Sequence, residues 1–151
     1  MRRLFGLVLA GGIMLLPAFS QDHGTVNAQD ALTFNGDTAL WSIAIKPDKT
    51  ADFEQIMMRV GEALLKSDAP QRKQQAAGWK VIKGLTPMPD GNVVYTHLID
   101  PVVRGADYAI LNILYEGFPA EKTELYELYV GAFGAALPGA TGNVAVDLSQ
   151  P

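Results

Sequence analysis

The residues of this sequence best suited to acid–base chemistry are a tyrosine and a histidine two positions apart, Tyr95 and His97, in an apolar segment. Alternate residues of a β-strand share one face, so the phenol and the imidazole are expected side by side. An imidazole has an ordinary pKa of about 6.5 and can accept a proton, and a neighbouring phenol can orient a phenolic or enolisable substrate. We therefore predict His97 and Tyr95 as catalytic candidates. The structural alternative is a hydrogen-bonded histidine at a dimer contact, with Tyr95 as a core aromatic residue.

Three aromatic residues are candidates for ligand binding. Trp41 belongs to another apolar segment and would lie near His97 if the two side chains share a face of the sheet. Trp79 opens a further predicted strand, and Tyr115 belongs to a set of tyrosines at helical spacing. Large aromatic side chains also pack well in a core or a dimer contact, so packing is the alternative for all three.

Arg104 is the fourth candidate for ligand binding. It lies in a loop that leads from a predicted strand to a predicted helix, and such loops often border binding sites. Its guanidinium group is suited to hold a carboxylate. The alternative is a surface ion pair with Asp100 or Asp107.

The motifs of metal and cofactor sites are missing from the sequence. It has no cysteine and only two histidines, His23 and His97. No glycine-rich phosphate loop, no Gly-x-Ser-x-Gly nucleophile motif and no His-Glu-x-x-His zinc motif occurs. We therefore predict no metal site and no cofactor.

Apolar periodicity predicts the elements that must position these residues. The predicted strands are residues 39–45, 78–85, 93–99 and 143–148, and the predicted helices are residues 50–67 and 107–136, the second with a pause at Gly117. Residues 68–77 are polar and are predicted to form a loop with one extra helical turn. The turn residues of segment 87–92 indicate a hairpin between the second and third strands.

The resulting β-α-β-β-α-β order predicts an α+β fold. Connection rules favour a ferredoxin-like arrangement, in which a four-stranded antiparallel sheet carries the helices on one face. Residues 39–45 and 93–99 have apolar side chains on both faces, whereas the helices cover only one. The other face would be closed by a second copy of the chain, sheet against sheet. We therefore predict a homodimer, and the sequence leaves open which face the helices cover.

The junction between the first strand and the first helix resembles the start of the dimeric α+β barrel proteins. The strand ends in Ile45-Lys46-Pro47-Asp48-Lys49, and the helix opens with Thr50-Ala51-Asp52-Phe53-Glu54. This superfamily includes the small cofactor-free monooxygenases of antibiotic biosynthesis. The resemblance implies a dimer of ferredoxin-like units with a small hydrophobic pocket between sheet and helices. Haem-degrading relatives carry a histidine on the second long helix. Residues 107–136 contain none, which argues against a haem-oxygenase role.

Residues 1–28 have the pattern of a secretory signal peptide. Two arginines precede an apolar run, and small residues offer cleavage after Ser20 or after Ala28. The run of about 15 apolar residues is too short to span a bilayer as a helix, which needs about 20. We predict export to the periplasm or outside the cell, a flexible lead-in at residues 29–38, and one domain at residues 39–151.

The charge of the chain argues against two classes of partner. The net charge is −4 and becomes more negative when the arginines of the signal peptide are removed. An acidic domain repels nucleic acid and anionic membrane surfaces. We predict no nucleic-acid partner, and no membrane association after cleavage.

Two functions remain open from the sequence. The first is an exported dimeric module that binds a small apolar or aromatic ligand, or a protein partner, and the lack of a complete catalytic constellation favours it. The second is a cofactor-free monooxygenase-like enzyme for a phenolic or polycyclic substrate. In that enzyme His97 would be the base, and Tyr95, Trp41 and Arg104 would position the substrate. The sequence does not decide whether the protein is an enzyme.

Overall fold

The structure is a computed structural model that describes residues 28–150. His23 and the predicted signal peptide, apart from Ala28, lie outside the described residues. The strands are β1 (Thr38–Ile45), β2 (Trp79–Lys83), β3 (Val93–Ile99) and β4 (Phe133–Gly142). The helices are α1 (Thr50–Lys66), α2 (Pro70–Gly78), α3 (Ile110–Gly117) and α4 (Lys122–Ala132).

The four strands form one sheet in the order β2-β3-β1-β4, and each neighbouring pair is antiparallel. The predicted hairpin is confirmed, since β2 pairs with β3. The prediction of an α+β fold with a four-stranded antiparallel sheet is also confirmed. The architecture is compatible with a ferredoxin-like fold.

The register of β1 against β3 determines which side chains share a face. Trp41 lies opposite His97, and Ile43 lies opposite Tyr95. Ile43, Tyr95 and His97 are buried, and the main core forms where this face of the sheet meets the helices. The helices therefore cover the face that carries the two catalytic candidates.

Helix α1 forms because its apolar residues recur at three- and four-residue spacing, which places them on one side of the helix. The buried residues of this stripe are Phe53, Ile56, Val60, Ala63 and Leu64. They pack against the sheet and against α3 and α4, and the burial of this apolar surface is the main stabilising contribution to the fold. No helix within residues 28–150 has the length and apolar character needed to cross a membrane.

The prediction of a fourth strand at residues 143–148 is wrong. The strand that completes the sheet is β4, and the apolar side chains of segment 143–148 are exposed. Strand β4 lies so close to β1 that a Cβ on Gly139 would come within 2.8 Å of the Leu40 carbonyl oxygen. Such close backbone approach selects glycine, which leaves no apolar alternation for a sequence pattern to detect.

Two further segments differ from their predicted structure. Residues 107–136 contain two helices, α3 and α4, and the second ends at Ala132. Most of residues 68–77, predicted as a loop with one extra turn, belongs to helix α2. Pro70 is the first residue of α2, where its missing N–H costs no helical hydrogen bond.

Residues 29–38, the predicted lead-in, contact the domain through hydrogen bonds and one ring stack. The Leu32 N–H donates to Asp107 Oδ1 at 2.8 Å, and the Tyr108 N–H donates to the Leu32 carbonyl oxygen at 2.8 Å. Phe34 stacks on Trp41 with ring centroids 5.4 Å apart. These partners are distant in the chain, so no local pattern within residues 29–38 predicts them.

Candidate functional site

His97 is held between the two neighbouring strands. Its ring stacks on the indole of Trp41 in β1, with centroids 4.4 Å apart and planes inclined by 6°. From β2, Trp79 donates a hydrogen bond through its indole Nε1 to His97 Nδ1 at 3.1 Å. Because β3 lies between β1 and β2, these contacts hold the imidazole from both sides.

The hydrogen bond from Trp79 determines the protonation of His97. Since Nδ1 accepts it, the neutral imidazole carries its proton on Nε2. The side chain has 0% exposure, and this burial lowers the pKa of His97 to about 3. Nε2 is buried and has no hydrogen-bond partner within residues 28–150. At neutral pH His97 is therefore uncharged. Its Nδ1, the nitrogen that would take up a proton, already accepts the hydrogen bond from Trp79.

The hydroxyl of Tyr95 interacts with a carboxylate of α1. It donates to Glu54 Oε1 at 2.6 Å, and Lys83 Nζ donates to the same oxygen at 2.8 Å. The hydrogen bonds from Lys83 and then from Tyr95 lower the pKa of Glu54. Burial, followed by the bond to Glu54, raises the pKa of Tyr95. The phenol is therefore a protonated donor at neutral pH.

Arg104 and Tyr115 lie in other surroundings. Arg104 forms an exposed ion pair with Asp37 at 2.7 Å, so the predicted pairing with Asp100 or Asp107 is wrong. Tyr115 is buried in the main core, where burial raises its pKa. Its hydroxyl is buried without a hydrogen-bond partner among the described residues.

The predicted site residues therefore separate into two sets. Tyr95, His97, Trp41 and Trp79 come from three adjacent strands and pack with the helix-covered core or lie within it. Tyr115 lies elsewhere in the main core, and Arg104 forms no hydrogen bond or ion pair with the cluster in the described part of the chain. The catalytic roles of His97 and Tyr95 stay predictions.

Two neighbouring cavities lie between α1 and β2, and we call them together the α1–β2 groove. Its first part is a cavity of about 290 Å³, whose lining includes Met57, Gly61, Leu65, Lys73, Trp79 and Val81. A second cavity of about 300 Å³ shares Met57 and Val81 with it and extends to Glu54 and Tyr95. Two predicted site residues, Trp79 and Tyr95, thus line one groove.

The first part of the α1–β2 groove is apolar except for one cation, Lys73. Lys73 has no ion-pair partner within residues 28–150. By contrast, the second part carries the ion pair of Lys83 with Glu54, 2.8 Å apart. The groove therefore offers an unpaired positive charge beside an apolar surface at one end and a neutralised pair at the other.

Helix α2, which carries the exposed Lys73, is held by a polar network. Arg72 and the buried Gln75 both donate to the main-chain oxygen of Asp107, at 2.8 and 2.9 Å. Arg72 also pairs with Glu116 of α3 at 2.5 Å. Because these bonds tie α2 to the segment before α3 and to the end of α3, one wall of the groove is held in place.

Another cavity, of about 400 Å³, lies beside the lead-in. Its lining includes Gln29, Asp30, Trp41, Tyr108 and Tyr129. Part of this lining is formed by the amino-terminal lead-in, and it has a carboxylate and an amide among its residues. The α1–β2 groove is built from helix and strand residues alone and has a more apolar lining, which is the usual character of small-molecule sites.

Several residues of the groove escape sequence reasoning. Lys73 lies in the segment predicted as a loop, so the sequence does not predict that it belongs to a helix that borders the groove. Gly61 lies inside a regular helical pattern and carries no motif. Glu54 lies off the apolar stripe of α1, which indicates only that its side chain lies outside the core. The pairing with Tyr95 joins residues 41 positions apart, and no local pattern predicts that.

Comparison with models of known protein families, with curated protein sequences and with solved structures found no match to this chain. Within residues 28–150, no group of three or more histidine, aspartate or glutamate side chains lies close enough together to hold a metal ion. The function is therefore inferred from the geometry of the site.

Proposed function

We propose that this chain is an exported, homodimeric module that binds a small apolar or aromatic ligand in the α1–β2 groove. The observation that carries the proposal is the apolar cavity of about 290 Å³ between α1, α2 and β2, with Trp79 in its wall. Ligand sites are typically concave and apolar, with a few polar groups that orient the ligand. Met57 adds a flexible, polarisable side chain that adapts to different shapes.

The lining also supports a ligand class. Lys73 is a cation without an ion-pair partner in the described part of the chain, so a carboxylate or sulfonate on an otherwise apolar ligand would complement it. Ligand pockets usually measure roughly 300–1,000 Å³, and this cavity lies at the lower end. We therefore propose a ligand of one to three rings, or of similar apolar bulk, with one anionic group.

Binding is favoured over catalysis because of the state of His97. The imidazole is fully buried, and its Nδ1 accepts a hydrogen bond from Trp79. A general base needs a free lone pair within hydrogen-bond reach of its substrate. The monooxygenase-like alternative would require Trp79 to move away from His97 and admit a substrate, and it stays a prediction.

The dimer proposal is supported by the sheet face opposite the helices. Leu40 and Ile82 are 43% and 51% exposed, and Leu98 and Leu137 are partly exposed on the same face. Ser42 and Thr96 hydrogen-bond to each other at 2.8 Å between these apolar residues, and Lys80 lies at the β2 edge, so the face combines apolar and polar groups as interaction surfaces do. We propose that a second copy covers it to form a ferredoxin-like dimer closed into an α+β barrel.

The dimer proposal predicts a clear change of mass in solution. The double variant Leu40→Lys/Ile82→Lys adds two charges to the exposed sheet face, and desolvating them in a dimer costs several kcal/mol. We expect the wild type to sediment as a dimer at micromolar concentration and the variant as a folded monomer. Met58→Lys, at a residue that is 69% exposed on α1, is the matched control and is expected to stay dimeric. A wild type that sediments as a monomer contradicts the proposal.

Ligand binding is tested by filling the groove from Gly61. A Cβ at Gly61 meets no atom within 4 Å, and Gly61 lines the first cavity, so Gly61→Leu is chosen to fill groove space. We expect the fluorescent dye 8-anilinonaphthalene-1-sulfonate, an aromatic anion, to bind the wild type. Its affinity for Gly61→Leu is expected to be at least about ten-fold lower, which corresponds to about 1.4 kcal/mol.

Gly131→Leu is the control for that measurement. Gly131 is also a helical glycine, with open space around a Cβ, and it lies in α4 outside the groove. Leucine has a better helix propensity than glycine by up to about 1 kcal/mol, so both variants are expected to be at least as stable as the wild type. Equal dye affinity in Gly61→Leu and Gly131→Leu would show that the dye binds elsewhere.

A further inference from the structure

Gln29 is the first of the described residues that bonds to the domain, and both of its bonds use oxygen atoms. Its side-chain Oε1 accepts a hydrogen bond from the Leu111 N–H at 3.1 Å. Its main-chain oxygen accepts one from Asn112 Nδ2 at 2.9 Å. The side-chain nitrogen, Nε2, forms no hydrogen bond within residues 28–150.

These bonds serve the start of α3. Leu111 is the second residue of that helix, and its N–H is one of the amino-terminal donors that have no partner within the helix. The side-chain oxygen of Gln29, Oε1, therefore acts as the capping acceptor of this helix. The chain is therefore anchored at residue 29, directly after the Val26-Asn27-Ala28 sequence that fits a signal peptidase site.

We infer that export processing ends after Ala28 and that the new amino-terminal residue, Gln29, is converted to pyroglutamate. This inference rests on the proposed export of the chain. Cleavage after Ser20 would instead leave Gln21 as the first residue, eight positions ahead of the first anchored one. Cleavage after Ala28 makes the anchored residue the chain terminus itself.

The chemistry needs no further reagent. Cleavage frees the α-amino group of Gln29, and its nitrogen attacks the side-chain carbonyl carbon, Cδ. The bond between this nitrogen and Cδ forms, the bond between Cδ and Nε2 breaks, and Nε2 leaves as ammonia with a proton from the amine. The product is a five-membered lactam, and no atom is oxidised or reduced.

The observed contacts match the atoms that the reaction keeps and loses. Both acceptors, the side-chain carbonyl oxygen and the main-chain oxygen, survive ring closure. The leaving nitrogen is the one polar atom of the side chain without a partner in the described residues. Ring closure also removes rotatable bonds from the capping group, so less conformational entropy is lost when it docks on α3.

The experiment is intact-mass and amino-terminal peptide mass spectrometry of the full chain after expression in a bacterium with a signal peptidase. We expect the exported protein to begin at residue 29 and to weigh about 17 Da less than the chain with a free glutamine. Gln29→Asn is the matched variant, and it is expected to be cleaved at the same position and to keep a free amino terminus. Edman degradation should then read Gln29→Asn directly and the wild type only after treatment with pyroglutamate aminopeptidase.

The contradicting outcomes are distinguishable. An exported protein that begins at Gln21, or that begins at Gln29 with a free amine, overturns this inference and leaves the proposed export intact. An unprocessed chain that stays in the cytoplasm contradicts the export itself. Neither result bears on ligand binding in the α1–β2 groove.

Discussion

Trp41→Ala is expected to lower the free energy of unfolding by about 3 kcal/mol, the lower end of the range for large aromatic residues in cores, because Trp41 is partly buried. The indole stacks on His97 at 4.4 Å and on Phe34 at 5.4 Å, and its centroid lies 5.5 Å from that of Trp79. Its loss leaves a cavity between the sheet and the lead-in. Because a domain of this size is stabilised by only about 5–15 kcal/mol, the variant is expected to be marginally folded at 37 °C.

Urea denaturation followed by circular dichroism measures this loss. Trp41→Phe keeps an aromatic ring against His97 and is expected to recover more than half of the stability. Met58→Ala removes a side chain that is 69% exposed and is expected to change the free energy by less than about 0.5 kcal/mol. A loss below about 1 kcal/mol for Trp41→Ala would contradict a structural role for the aromatic cluster.

The stability of the protein is expected to fall by about 2 kcal/mol between pH 7 and pH 5 because of His97 alone. Burial lowers the pKa of His97 to about 3 in the folded chain, whereas an unfolded chain has a histidine pKa of about 6.5. Below the unfolded pKa the unfolded chain binds a proton that the folded chain does not. Keeping His97 neutral in the folded chain therefore costs no stability above about pH 6.5, and the cost grows as the pH falls toward 3.

His97→Asn separates this contribution from that of other groups. The asparagine Oδ1 can accept the hydrogen bond from Trp79 and does not titrate. We expect the variant to be less stable at pH 7, since the stacking on Trp41 is lost, and to show a decline from pH 7 to 5 that is smaller by about 2 kcal/mol. The lowered pKa of Glu54 acts at more acidic pH and does not interfere. An identical pH dependence in both proteins would contradict a buried, neutral His97.

The sequence predicts best where one element has a strong period of its own. Helix α1 and strands β1 and β3 follow local apolar patterns, and the structure has them within one residue of the predicted bounds. The contact of Trp41 with His97 is also predictable from the sequence, since it requires only that the two residues share a face. The sequence does not predict which face the helices cover, because both faces of the strands carry apolar residues.

The rest of the fold depends on contacts between distant residues. Strand β4 is rich in glycine and alanine and pairs with β1, so close backbone packing takes the place of alternation. Helix α2 has a polar sequence and is held by the bonds of Arg72 and Gln75 to the Asp107 carbonyl oxygen. Neither element carries a local apolar signal, and the groove wall that presents Lys73 was therefore not predictable.

The candidate site changed for the same reason. The sequence predicts His97 as a candidate base because an imidazole can accept a proton. In the structure Trp41 stacks on the His97 ring and Trp79 donates a hydrogen bond to it. The accessible apolar surface lies one strand away, along α1 and β2. Of the six residues chosen from the sequence, Trp79 and Tyr95 line that groove.

The measurement that tests the central proposal most directly is a two-dimensional amide NMR titration of the isotopically labelled protein with 8-anilinonaphthalene-1-sulfonate. We expect saturable shift changes at Gly61, Ala77 and Val81 and at the indole N–H of Trp79, all residues that line the α1–β2 groove. These changes are expected to disappear in Gly61→Leu and to persist in Gly131→Leu. Shift changes confined to the exposed sheet face or to the lead-in beside Trp41, with the groove residues unmoved, would contradict the proposal.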